Sequence, residues 1–246
     1  MRLFIAIDIN DDVRAAVAKL QQELKGRMKN QNGLKWVNPE LMHLTLKFLG
    51  EVSAGGETSP AATRLGEAGP NGGDENRIDE INDAVEIACA DKKTFEFSFS
   101  VVGTFGRPVK VLWLGSEPPH LLAQSSGKEN LNRSGYTGKL DIPKADVNRC
   151  GGEKLSAELA GLAGDIEQAL EAIGFEKESR PFSAHLTLAR VRDNGVDKNL
   201  RQLLKNYTQV QIPKIVVDSV CLYKSQLTSD GPVYTLLRKI ELKKDI

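Results

Sequence analysis

The amino-acid sequence predicts an α+β fold made of two related halves, each a small sheet backed by helices. Three observations carry this. Segments in which apolar residues alternate with period two are interspersed with segments of helical period. Their order, β-α-β-β-α-β-β and then α-β-α-β-β, divides into two similar runs. One tetrapeptide, His-Leu-Thr-Leu, occurs once in each run, at 43–46 and at 185–188.

The elements follow in order. Leu3, Ile5, Ile7 and Ile9 alternate with Arg2, Phe4, Ala6 and Asp8, which reads as a largely buried first strand. Asn10 can cap a helix whose inner face is Val13, Ala16, Val17, Leu20 and Leu24, and which ends at Gly26 or over 30–33. Leu34 to Val37 is a short strand, Pro39 opens a turn, and Leu41 to Leu49 is an alternating strand. Residues 54–77 are rich in Gly, Pro and small polar side chains and read as a flexible insert. A helix with Ile78, Ile81, Val85 and Ala88 on one face follows. Phe95, Phe97, Phe99 and Val101 alternate as a strand, and Val109 to Leu114 is another after the Gly106-Arg107-Pro108 turn. Residues 116–152 form a second polar stretch, too long for an ordinary loop in a compact domain. Leu155, Leu159, Leu162, Ile166, Leu170 and Ile173 mark a long helix. Strands over 184–191, 212–223 and 233–242 and a helix over 196–204 complete the chain.

With 246 residues, 40% of them apolar and 27% charged, the chain is long enough for one domain or two lobes around a real core. Lys+Arg and Asp+Glu both number 33. Zero net charge argues against coating long nucleic acid by charge alone, while allowing a local basic groove. No apolar run approaches the roughly 20 residues of a membrane span. The first apolar stretch meets Asp8, Asp11 and Asp12 at once and has no small-residue cleavage site, so a buried strand fits better than a signal peptide. Cys89, Cys150 and Cys221 are odd in number and widely spaced, which suggests neither a disulfide framework nor a cysteine zinc site. A reducing cytoplasm is the expectation.

The chemistry centres on the repeated tetrapeptide. The chain has only three histidines and ten threonines, so a Thr two positions after two of the three histidines is well outside coincidence. On a strand, residues i and i+2 share a face. Each copy then aims an imidazole and a hydroxyl one way while its leucines enter the core. Two halves facing each other would line a groove with His43, Thr45, His185 and Thr187. Imidazoles titrate near neutrality, so one can act as base and the other as acid on opposite sides of a phosphorus. The hydroxyls can donate to non-bridging oxygens. Such a scheme needs no metal or other cofactor, and two His with two Thr are poor zinc ligands.

These motifs resemble the HxTx pair of the 2H phosphoesterase superfamily. Several flanks resemble one branch, the RNA 2',3'-cyclic phosphodiesterase (2'-5' RNA ligase) family. They are Met1 to Ile7, Lys35-Trp36-Val37-Asn38-Pro39-Glu40 leading to His43 through Gly50, Arg180 to Arg190, and Leu222 to Thr228 followed by Gly231-Pro232-Val233-Tyr234. The resemblance covers the chain except 54–77 and 116–152. It implies a single bilobal domain over 1–246 with two pseudo-symmetric lobes, mostly antiparallel sheets and a cleft between them. It implies hydrolysis of an RNA terminal 2',3'-cyclic phosphate to a 2'-phosphomonoester, with 2'-5' ligation as the reverse reaction. On it, His43 is the proton donor to the departing 3'-oxygen, His185 the base, and Thr45 and Thr187 hold the phosphate. The partner is then RNA with a cyclic phosphate end, bound by a monomer with no membrane involvement.

Other candidates are weaker. Lys47 shares the His43 face by parity, while Arg190 does not share that of His185; either can pair with a phosphate or sit at the rim. Phe48 and Tyr223 are candidate base-stacking surfaces, with core packing as the alternative for Phe48. Thr104-Phe105-Gly106-Arg107 resembles the turn bordering the cleft, which makes Arg107 a candidate phosphate contact. Trp36 and Trp113 read as core, and His120 as an exposed loop residue. Two other functions stay open: a related enzyme acting on a small cyclic nucleotide or 2'-5' oligonucleotide, and a non-catalytic RNA-binding module. Binding alone does not require the acid–base pair. The residues do not decide which His is acid and which base; that rests on the resemblance.

Overall fold

A computed structural model describes residues 1–28, 32–52, 73–116, 157–205, 207, 210–229 and 231–244. Within these the chain forms ten strands and four helices. The first strand, β1 (Arg2–Asp8), has a wholly buried centre. The first helix, α1 (Asp11–Arg27), starts where the Asn10 side chain accepts from the Val13 N–H at 3.0 Å. Asp11 and Asp12 in its first turn and Lys25 and Arg27 in its last complement the helix dipole. Then come β2 (Leu34–Trp36), β3 (His43–Glu51), α2 (Gly73–Cys89), β4 (Phe95–Phe97), β5 (Val101–Phe105) and β6 (Val111–Gly115). The rest is α3 (Ala157–Ala172), β7 (His185–Val191), α4 (Asp197–Leu204), β8 (Ile215–Val217), β9 (Ser219–Leu227) and β10 (Pro232–Glu241).

Two four-stranded antiparallel sheets dominate. The first has the order β10-β9-β1-β3 and the second β2-β7-β6-β5, while β4 and β8 form a separate pair. One copy of the repeated tetrapeptide opens β3 and the other opens β7, so each sheet carries one. The lobes are not successive halves of the chain. The first sheet combines β1 and β3 with the C-terminal hairpin β9–β10, and β2 crosses to the second sheet. Helices cross over as well. α2 and α3 pack on each other and against β10 and β3. α1 instead serves the second sheet, where the buried Gln21 side chain donates to the carbonyls of Val37 and Leu188, each at 2.9 Å.

The single strand predicted over 95–101 is two. Phe97 and Phe99 both turn into the core, with their rings edge to face at 4.9 Å, and the chain changes partner from β8 to β6. The run 212–223 likewise breaks at Asp218, whose carbonyl accepts from the Leu242 N–H at 2.7 Å. α2 starts at Gly73, inside the stretch read as an insert through 77. The remainder of that stretch, residues 117–152 of the second one, His120 and Cys150 lie outside the described residues.

Both tetrapeptide strands carry a β-bulge at the same place. In β3, Thr45 pairs with Ala6 and Lys47 with Ile5, leaving Leu46 without an opposite residue. In β7, Thr187 pairs with Trp113 and Ala189 with Leu112, leaving Leu188 without one. One extra residue reverses the alternation beyond it. Leu44 and Leu186, then Lys47 and Ala189, face the core, while His43, Thr45 and Phe48 share the outer face of β3, as His185, Thr187 and Arg190 share that of β7. Leu44, Leu46, Leu186 and Leu188 are buried. Each such burial contributes about 1.5–3 kcal/mol, which fixes the register and with it the direction of the histidines.

Candidate active site

The two imidazoles are held in the same way. His43 Nδ1 lies 3.1 Å from the carbonyl of Leu41, and His185 Nδ1 lies 2.8 Å from that of Ser183. A carbonyl only accepts, so Nδ1 carries the hydrogen and Nε2 is left for chemistry in both rings. As a neutral ring, Nε2 is a base; as a cation, it is an acid. Thr45 and Thr187, two residues on, are partly exposed on the same faces.

Aromatic rings fix each imidazole from the side. Phe4 stacks on His43 with centroids 4.5 Å apart, Tyr223 stacks behind Phe4 at 5.4 Å, and Tyr234 meets His43 edge-on at 5.0 Å. On the second sheet Phe105 meets His185 edge-on at 5.1 Å and lies over Trp113 at 5.1 Å. The indole fits because Gly103 opposite has no side chain; a Cβ there would stand 2.2 Å from the ring.

Burial lowers the pKa of both histidines, since the charged ring loses solvation. The bonds to Leu41 and Ser183 oppose this in each case. The remaining neighbours differ in sign: the Asp8 carboxylate favours protonated His43, whereas the Arg190 guanidinium disfavours protonated His185. Burial also holds the Tyr234 phenol above its ordinary value, and Arg190 opposes that shift. Arg190 belongs to β7 and Tyr234 to β10, so this pair spans the space between the sheets. β3 and β7 approach each other as well.

The structure places His43, Thr45 and Phe48 on one face of β3, with Tyr223 beside His43, and His185, Thr187 and Arg190 on one face of β7. Phe48 is 64% exposed and lies outside the core. Arg190 stands on the His185 face, against the parity expectation, because of the Leu188 bulge. Lys47 is a correction. The Leu46 bulge turns it inward, where it is 4% exposed. Its ammonium donates to Glu167 Oε1 at 2.7 Å and to the carbonyl of Glu176 at 2.6 Å, so it is not placed to bind substrate. The Tyr223 hydroxyl donates to Asp8. Arg107 lies in the exposed turn between β5 and β6, two residues past Phe105. Sequence reasoning missed Phe4, Asp8, Phe105 and Tyr234 as neighbours of the histidines. Phe4 and Asp8 were detectable as residues of one face of β1 once β1 was paired with β3; Tyr234 required knowledge of the sheet order. Among the described residues, no group of three or more His, Cys, Asp or Glu is arranged to hold a metal ion. None of the described helices is long and apolar enough to cross a membrane.

Two sheets, each offering an Nδ1-anchored imidazole and a threonine hydroxyl from the same tetrapeptide, define a phosphoesterase of the two-histidine class. The chain belongs to the LigT-like phosphoesterase family, whose model (LigT like Phosphoesterase) matches residues 7–113 and 152–234. Among its relatives, the RNA 2',3'-cyclic phosphodiesterase of Methanocaldococcus jannaschii is 25% identical over 241 residues, covering 97% of this chain and 99% of its own. That of Thermotoga maritima is 29% identical over 248 residues, covering 99% and 96%. A crystal structure from Thermus thermophilus matches the fold with a TM-score of 0.56 at 21% identity over 100% of both chains. E. coli LigT in its apo form matches with a TM-score of 0.54 at 21% identity, over 99% of this chain and 98% of its own.

Proposed function

We propose that this phosphoesterase hydrolyses the terminal 2',3'-cyclic phosphate of RNA to a 2'-phosphomonoester. The observation that carries the reading is the duplicated imidazole anchor, which leaves one Nε2 free on each sheet. The names of the curated relatives point to the same substrate. In this scheme His185 Nε2 takes a proton from water as its oxygen attacks phosphorus. The bond from phosphorus to the 3'-oxygen breaks, and that oxygen takes the proton from His43 Nε2. Hydrolysis thus leaves His43 neutral and His185 protonated, and proton exchange with solvent resets the pair. The Thr45 and Thr187 hydroxyls and the Arg190 guanidinium hold the non-bridging oxygens as charge accumulates on them. Phe48, exposed beside them, offers a base a flat apolar surface. With an RNA 5'-hydroxyl attacking phosphorus in place of water, the same displacement of the 3'-oxygen would form a 2'-5' linkage.

The test is incubation of a short RNA ending in a 2',3'-cyclic phosphate with wild type, His43→Ala and His185→Ala, with EDTA present. A 2'-phosphate from wild type alone is expected, each variant losing at least about 10²–10⁴-fold as expected for a lost acid or base. Because the pair acts as a unit, the double variant should lose little more than either single one. A 3'-phosphate product would reverse the leaving-group assignment, and no turnover by folded wild type would reject the RNA end as substrate.

A further inference from the structure

Asp8 ends β1 directly opposite His43 in the register of β1 and β3. Directly opposed side chains in an antiparallel pair share a face, with Cβ atoms roughly 4.5–5.5 Å apart. Asp8 is also held in place. The Tyr223 hydroxyl lies 2.9 Å from Oδ1 and 3.0 Å from Oδ2, and the Cys221 thiol lies 3.7 Å from Oδ2. Tyr223 is itself fixed by stacking on Phe4, the ring that also stacks on His43. Among the described residues nothing comparable stands beside His185, whose opposite residue is Gly115 and whose charged neighbour is Arg190.

We propose that Asp8, clamped by Tyr223, is a positioning residue that keeps the proton on His43 and so assigns it the acid role. The proposal rests on the two-histidine reading above. Among the described residues a single carboxylate, Asp8, sets the charge preference of His43. β1 contributes Asp8, β9 contributes Cys221 and Tyr223, and β10 contributes Tyr234. Lys47, the cation of its own strand, is turned into the core against Glu167. Burial of Tyr223 and its bond to Asp8 both push its phenol up, and burial beside Asp8 pushes the Cys221 thiol up to about 12. Both groups therefore remain protonated donors to the carboxylate, and neither adds a competing charge. His43 and His185 thus have the same anchor and the same tautomer but opposite electrostatic neighbours. That difference gives the symmetric motif a direction.

The experiment is the pH profile of kcat/KM on the cyclic-phosphate RNA, together with the NMR titration of the His43 Cε1–H signal, for wild type, Asp8→Asn, Asp8→Glu and Tyr223→Phe. The Asp8 carboxylate favours the protonated ring. In Asp8→Asn the alkaline limb and the His43 signal should both move to lower pH, and the loss of activity should grow with pH, to about three- to tenfold. Asp8→Glu should restore the limb, and Tyr223→Phe should move it part of the way. A loss in Asp8→Asn that is equal at every pH, or a His43 signal that titrates as in wild type, would overturn the proposal. The NMR titration needs no turnover, so failure to cleave RNA would reject the substrate reading and leave this test standing.

Discussion

Arg190 stands on the same face of β7 as His185, although the two are five positions apart and strand faces alternate with every residue. The extra residue is Leu188, and its carbonyl shows how the bulge is held. It accepts from the Val37 N–H at 3.0 Å and from Gln21 Nε2 at 2.9 Å. Arg190→Ala should therefore act on two observables. Loss of a charge-assisted contact worth about 1.5–3 kcal/mol should lower kcat/KM on cyclic-phosphate RNA about 10- to 100-fold. Removing a cation beside His185 should also move the acid limb of the pH profile to higher pH, since Arg190 disfavours the protonated ring. Arg190→Lys should restore the limb but only part of the rate, because an ammonium cannot make the paired contact. A pH profile unchanged in Arg190→Ala would separate this side chain from His185.

Gln21 carries the bulge from the other side. It is 3% exposed on α1 and satisfies two carbonyls at once, those of Val37 and Leu188. Gln21→Leu preserves the apolar contact but leaves both acceptors short of a donor, at about 1–3 kcal/mol. For a chain of this size that is a fall in Tm of about 2–12 °C. Because the bulge aims Arg190, the purified folded variant should also lose rate, with the same displaced acid limb as Arg190→Ala. Loss of stability with a normal pH profile would show that the bulge survives without this side chain.

The parts of the site legible in the sequence were those set by period two within one strand. His43 with Thr45, and His185 with Thr187, needed only alternation and two buried leucines. Beyond the second leucine the same rule failed at Lys47 and Arg190, in opposite directions and for one reason. A bulge is a property of a pair of strands, and nothing in the tetrapeptide marks it. Asp8, Phe4 and Tyr234 were hidden for a related reason: they reach His43 from β1 and β10, and strand order is not written in local periodicity. The interleaving of the lobes was hidden too. Counting elements in order suggested successive halves, whereas β9 pairs with β1 on one edge and β10 on the other, so the C-terminal hairpin completes the first sheet.

Lys47 separates a structural role from a catalytic one. Its ammonium is buried against Glu167 and the carbonyl of Glu176, and Glu167 Oε1 also accepts from the Glu178 N–H at 2.6 Å. Removing the cation alone leaves a largely buried carboxylate without its partner, so Lys47→Ala should cost about 3–5 kcal/mol of stability. Lys47→Met with Glu167→Gln removes both charges and preserves volume, and should recover most of it. In both variants, kcat/KM per folded molecule should stay within about threefold of wild type, less than the loss of one substrate hydrogen bond. A stable double variant with a raised KM would return Lys47 to the substrate.

The pH optimum follows from the direction of two shifts. Both histidines titrate below the ordinary imidazole value of 6.5, because burial outweighs the carbonyl bonds that favour the charged ring. In the proposed mechanism His43 is the acid and must be protonated, so activity should be lost as pH rises through its lowered pKa. His185 is there the base and must be neutral, so activity should be lost as pH falls through its own lowered pKa. Both limbs of kcat/KM, which reports the free enzyme, are thus displaced the same way, and the maximum should lie on the acid side of 6.5. The neighbours set the width. Asp8 draws the His43 limb back toward neutrality while Arg190 pushes the His185 limb further down, so Asp8→Asn should narrow the bell from its alkaline side and Arg190→Ala from its acid side. A maximum above about pH 7.5 in wild type would mean that charge, and not burial, sets these imidazoles.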